Sequence, residues 1–282
     1  MTWLDWTASR RFPIPDCSDS EDETAIDWSI TRKALALFDE WSSGYTVMVK
    51  APKHHSLAKF TATCKSSSCE RALLIAATAH AAANAILAAY ELVRSQRGRP
   101  RGMTTDNEQD LLRSMLVMAA SGVDATVKQL VQDTLPHLIA TDAKAQNSFQ
   151  KFVERKLIVE ADTGGGTVNL KLLAAALVSP APQRRLIDEY VSELTGNSLQ
   201  STDSLFQVAA ALGVDPVQIG LIPRDIRPIF NIRNKIIHEL DINLDARTRT
   251  RNLRSQATMI RDTEKLFSLI QALVLSVDSR VT

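Results

Sequence analysis

Along most of the chain apolar residues recur at intervals of three and four, the spacing of one buried helix face. Within residues 24–41 they are Ile26, Ile30, Ala34, Leu37, Phe38 and Trp41, and Ser43-Gly44 ends the pattern. Residues 1–23 lack it. There Pro13 and Pro15 precede an acidic run, and the stretch reads as irregular. The segment YTVMVKAP at 45–52 reads as a short strand or extended piece. Residues 68–94 are alanine-rich, polar at the ends and apolar in the middle. They predict a long helix whose small side chains let a neighbouring helix approach closely.

Residues 94–102 carry four arginines, two glycines and a proline. Their composition predicts a linker between an N-terminal helical region, 1–102, and a second domain, 103–282. Thr105 followed by Glu108 reads as a capping box. The helix it opens is expected to run to about Leu135, burying Leu112, Met115, Leu116, Ala119, Val123, Val127, Leu130 and Val131. Further helices are expected over 147–159, 168–178, 182–194, 204–212, 225–240 and 247–277. Gly196 and Gly213 act as stops, and Pro228 is tolerated in the first turn of its helix. Gly164-Gly165-Gly166 reads as a loop. It is not a phosphate-binding P-loop, because no Gly-Lys-Ser/Thr follows. The chain shows no internal repeat.

Composition agrees with an all-α fold. Hydrophobic residues make up 45% of the 282 positions, enough for a substantial core, while aromatics are only 5%. Lysine and arginine number 33 against 32 acidic residues, a net charge of +1, so any nucleic-acid site must be a local patch. No uninterrupted apolar run reaches the roughly 18 residues of a membrane span, so none is expected. The N-terminus lacks the apolar core of a signal peptide. These features, with three cysteines that fit reduced thiols, predict a cytoplasmic location.

The candidate chemistry lies in Arg233-Asn234-Lys235-Ile236-Ile237-His238, followed by Glu239-Leu240-Asp241. Arginine offers a fixed charge and a donor fork that suits phosphate oxygens. Histidine is suited to proton transfer near neutral pH. On one helix Asn234 and His238, four apart, share a face, while Arg233 lies about 140° round from His238. Such groups suit phosphodiester cleavage, and the sequence shows no metal cluster beside them and calls for no cofactor.

The Arg-Asn-x3-His run near the start of a late helix resembles the R-x4-6-H signature of HEPN domains. The stretch from Leu111 through Arg113 and Met115 to Asp124 is similar to the first long helix of that family, particularly its predicted bacterial ribonucleases. The resemblance covers residues 103–282, and residues 1–102 show no counterpart. It implies a HEPN-like helical bundle with an N-terminal extension, acting as a homodimer whose motif helices face each other across a cleft. It further implies an RNA substrate, no metal, and a role as toxin or antiphage effector that a regulatory or antitoxin partner restrains. In that scheme His238 transfers protons, Arg233 binds phosphate and stabilises the transition state, and Asn234 orients one of them. A non-catalytic HEPN-like module that binds RNA or protein is the alternative.

Several residues admit two readings. Asp124 matches a polar position of the family's first helix, and reads as well as an ordinary surface aspartate. Glu239 and Asp241 either position the end of the motif helix or, more commonly for such residues, are solvated. Arg247, Arg251 and Arg254, at i, i+4 and i+7 of the expected last helix, suit an RNA backbone. They suit equally a solvated face or pairs with acidic residues on neighbouring helices. Arg97-Gly98-Arg99-Pro100 resembles the core of an AT-hook, though a basic linker is the commoner origin of such a run. His54, His55, Cys64 and Cys69 have metal-ligand residue types at a spacing wider than usual for zinc. Ser121, Asp124 and His137 do not have triad geometry on a helix.

Overall fold

The computed structural model describes residues 55–97, 102–160, 166–168, 178–244, 247 and 250–282. The helix expected over 24–41, the extended piece at 45–52, the glycines at 164 and 165 and nearly all of the helix expected over 168–178 lie outside them. Among the described residues seven helices carry the fold: α1 (Ser67–Ser95), α2 (Asp106–Thr141), α3 (Ala143–Leu157), α4 (Pro182–Thr195), α5 (Thr202–Ala211), α6 (Pro223–Glu239) and α7 (Gln256–Val281). A small antiparallel pair, β1 (Ile158–Glu160) with β2 (Gly166–Val168), follows α3. The architecture of the described residues is all-α apart from this hairpin.

The central helix is α2, which packs along α1 and α7 and also touches α3, α4, α5 and α6. Its start is set by the expected capping box. The Thr105 hydroxyl accepts the Glu108 N–H at 3.3 Å, and the Glu108 carboxylate accepts the Thr105 N–H at 3.0 Å. The helix continues past Leu135 through Pro136, because Leu138 and Ile139 prolong the buried stripe. Packing of those side chains outweighs the one backbone hydrogen bond that proline removes. Where α1 crosses α2, Gly122 meets Ala79. Close approach of this kind is what the alanine-rich pattern of α1 predicts. α1 is, among the described residues, a helix apolar and long enough to cross a bilayer. Its stripe of Cys69, Ala72, Ala76, Ala79, Ala83, Leu87 and Tyr90 is buried within the bundle.

The domain boundary expected at residue 102 is corrected. Residues 53–282 form one compact unit, with α1 and α2 its most extensive helix pair. The basic segment therefore joins two helices of one bundle. Glu108, fully buried, holds two of that segment's arginines: Arg97 reaches both carboxylate oxygens at 2.9 Å and Arg94 one of them at 3.3 Å. Arg97 is thus held by an internal carboxylate and by the Met103 carbonyl, unlike the free strand of an AT-hook. Residues 55–66 lie against α1 and α7. The Leu57 N–H donates to Asn84, His80 donates to the Ala58 carbonyl, and the Lys65 and Ser66 N–H groups donate to Asp278.

Two other expectations change. Helix α6 starts at Pro223, so Pro228 sits in its second turn rather than its first. Helix α7 starts at Gln256, with Ser255 as its cap, so Arg247, Arg251 and Arg254 are not on it. Residues 240–243 instead pair antiparallel with 250–253, through Asn243 N–H to the Thr250 carbonyl and Asn252 N–H to the Asp241 carbonyl.

Candidate functional site

The buried stripe of α6 is Ile226, Ile229 and Phe230, which seat the helix on the core. Continuing that stripe by three to four residues reaches Arg233 and then Ile236. This is why Arg233 is half-buried while its neighbour Lys235 is exposed. Its Nη1 donates to Asn234 Oδ1 at 2.9 Å. Its Nε–H is buried and meets no acceptor among the described residues. Burial pushes the Arg233 guanidinium below its usual value, opposed by the nearby Asp124 carboxylate. The enclosed Nε–H is not open to an incoming anion, which would meet the guanidinium at its other N–H groups.

Asp124 stands on α2 in a supporting position. It accepts the Leu199 N–H at 2.6 Å and pairs with Lys128 at 3.0 Å. The Leu199 bond pins the turn between α4 and α5 onto α2, beside Arg233. Asp124 is therefore neither a free surface aspartate nor bonded directly to Arg233; it acts on Arg233 through its field.

His238 is exposed in the last turn of α6, with no hydrogen bond or ion pair among the described residues. The helix brings Arg233 and Asn234 together. It leaves His238 on the outer surface, on the Asn234 side. Glu239 is exposed as well. The end of α6 and the segments after it also expose apolar side chains: Ile237 is 40% exposed, Leu240 64%, Leu244 61% and Leu253 63%. The antiparallel register places Leu253 opposite Leu240.

Asp241 departs most from a solvated carboxylate. It is fully buried. Its Oδ2 accepts from Arg113 Nε and Arg254 Nε, each at 3.0 Å, and its Oδ1 accepts from Arg254 Nη2 at 2.5 Å and Asn252 Nδ2 at 3.1 Å. Burial alone raises the Asp241 carboxyl, but the bonds from Arg254, Arg113 and Asn252 bring it below its ordinary value. The backbone here is strained. Leu240 at φ 51° and Asp241 at φ 58° are both left-handed, each at a cost of about 1 kcal/mol or more for a residue with a side chain.

The arginines expected to hold RNA are mostly engaged inside the protein. Arg254 grips Asp241. Arg251 pairs with Asp110 at 2.7 Å and donates to the Leu240 carbonyl at 3.1 Å. Arg247 is exposed. The reading of these residues as partners of acidic groups therefore holds for two of the three. Sequence reasoning assigned no role to Arg113, Asp110, Gln109 or Asn252. One signal was available: Arg113 lies beside Leu112 and three residues before Leu116, a charge set against an apolar stripe. Such a charge is retained only where a counter-ion meets it.

Of the residues with metal-ligand types, His55 meets Glu91 at 2.9 Å, and Cys64 and Cys69 carry free thiols. Burial pushes the Cys69 thiol up to about 12. Comparison of the chain with family models, curated proteins and solved structures finds no match.

Proposed function

We propose that this chain is a metal-independent endoribonuclease of the HEPN type, working as a homodimer in the cytoplasm. The observation that carries the reading is the Arg233 guanidinium, half-buried and tied to Asn234, on the helix that exposes His238. Phosphodiester oxygens are natural acceptors for a guanidinium, and Arg233 is only half-buried, which leaves part of it open to substrate. His238, open to solvent, is free to exchange protons with substrate. In the reaction a base takes the ribose 2′-OH proton, and the 2′ oxygen attacks the adjacent phosphorus. The 5′ oxygen leaves with a proton, giving a 2′,3′-cyclic phosphate and a 5′-OH. Arg233 stabilises the charge that grows on the phosphoryl oxygens. Two copies supply two histidines, one as base and one as acid.

The exposed apolar side chains Ile237, Leu240, Leu244 and Leu253 at and after the end of α6 support the dimer, since exposed apolar surface favours burial by a partner. The biological role in this reading is a toxin or antiphage effector held in check by a regulatory partner. The test is incubation of purified protein with total tRNA and mRNA in EDTA, beside Arg233→Ala and His238→Ala, with the mass in solution measured in parallel. Cleavage by wild type alone, leaving cyclic-phosphate ends, supports the proposal. Equal cleavage by folded His238→Ala refutes it.

One observation favours a second reading. His238 is bonded to neither Arg233 nor Asn234, and among the described residues no side chain is bonded to its ring. A non-catalytic HEPN-like module that binds RNA or protein through this surface accounts for that. RNA retention without cleavage by a confirmed dimer selects it.

A further inference from the structure

The end of the motif helix is built unusually. A helix that stops with a left-handed residue ordinarily uses glycine or asparagine there. Here Leu240 and Asp241 both adopt that conformation. The turn is closed by the Asp241 N–H to the Lys235 carbonyl at 2.9 Å and the Ile242 N–H to the Glu239 carbonyl at 3.0 Å. Strain of this kind persists only where the surroundings hold it, and it concentrates at functional sites. The holding groups are a complete set. Four donor contacts from Arg113, Arg254 and Asn252 occupy the two carboxylate oxygens of Asp241, and its carbonyl takes the Asn252 N–H and side-chain amide.

Each partner is itself fixed. Arg113 rises from the rigid opening turns of α2 and also binds Asp110 and the Asn252 carbonyl. Arg254 has its N–H and carbonyl held by the Gln109 amide at 2.8 and 2.9 Å. The helix terminus bearing His238 is therefore tied to α2 at a point three residues beyond the histidine. The helix start is tied separately, through Ile226, Ile229 and Phe230.

We infer that Asp241 is a positioning residue: with Arg113, Asn252 and Arg254 it clamps the last turn of α6 in a strained stop and so fixes the backbone from which His238 projects. The effect on catalysis rests on the proposed nuclease activity; the clamp itself does not. Asp241 touches no substrate. Its carboxylate is enclosed, and its effect reaches the site through the backbone of residues 238–241. Released from the clamp, Leu240 and Asp241 relax to commoner backbone angles, and the last turn frays.

The test compares full-length wild type with Asp241→Asn, which keeps the shape and removes the charge, and with Arg254→Lys, a milder break in the same clamp. Asp142→Asn is the control. Asp142 also lies at a helix end, bound by Arg280 at 2.6 Å, about 40 Å along α2 from Arg113 by helix rise. Amide hydrogen exchange is read at residues 236–242, and RNA cleavage is resolved into kcat and KM. The expected result is exchange about tenfold faster at the Asp241 and Ile242 amides in the two clamp variants, with the rest of the bundle unchanged. With it kcat falls up to about a hundredfold, the scale of an ångström-size misplacement, at nearly constant KM. The control, with a similar loss in Tm, changes neither. Unchanged exchange at 236–242, or an equal kcat loss in Asp142→Asn, overturns the inference. If Asp241→Asn fails to fold, Arg254→Lys gives the decision on the same two readouts. If wild type cleaves no RNA, the nuclease reading falls, and exchange alone decides whether the clamp exists.

Discussion

Gly122 and Ala79 touch where α1 crosses α2: a Cβ added at residue 122 would lie 2.4 Å from the Ala79 Cβ. No rotamer relieves such a clash, because both atoms are fixed by their backbones. Gly122→Ala is expected to push the helices apart and cost roughly 1–3 kcal/mol, the range for overpacking a close-packed core. Alanine's better helix propensity offsets less than about 1 kcal/mol of that. A thermal melt checks it. A Tm equal to or above wild type contradicts this close approach.

Arg254 separates a structural arginine from a nucleic-acid contact. An arginine on RNA phosphate contributes about 0.7 to the slope of log affinity against log salt on a single strand. Arg254 is committed to Asp241, so Arg254→Ala is expected to leave that slope unchanged. It should instead lower stability by about 3 kcal/mol or more, because a buried carboxylate loses its two-point partner. Salt titrations of RNA binding and a urea melt measure the two effects independently.

Acid should unfold this protein partly through Asp241. Its carboxyl is held below the ordinary range in the folded state, as are those of Asp110, through Arg251, and Asp142, through its backbone and Arg280 partners. A lowered folded value means stability that is fully present above the ordinary carboxylate range, near pH 4. It is lost as the pH falls through that range towards the lowered value. Melts from pH 7 to pH 3 should therefore show a steep drop below about pH 4. Asp241→Asn is expected to start lower at pH 7 and fall less. Parallel curves for the two proteins rule out a contribution from this residue.

Much of the bundle is determined locally. The reciprocal Thr105–Glu108 cap, the alanine stripe of α1 and the Ile226–Ile229–Phe230 stripe of α6 need only helical periodicity and neighbouring residues, and each can be read from order alone. The pairing of Arg233 with Asn234 is not given by helix geometry, because adjacent side chains stand about 100° apart; it depends on the long, half-buried Arg233 side chain turning back to Asn234. What the sequence by itself could not decide depends on contacts between distant positions. Whether residues 94–102 separate a pair of domains or join two helices depended on the burial of Glu108, which attracts Arg94 and Arg97. Whether Arg251 and Arg254 face solvent depended on where α7 begins, and that follows from the pairing of 240–243 with 250–253. Asp241 is the clearest case. Read in sequence it is one more acidic residue after a helix. Only the fold brings Arg113, 128 positions earlier, to its carboxylate. The reason is physical: periodicity reports which face of a helix is apolar, whereas a buried charge is decided by the counter-charges that tertiary packing delivers to it.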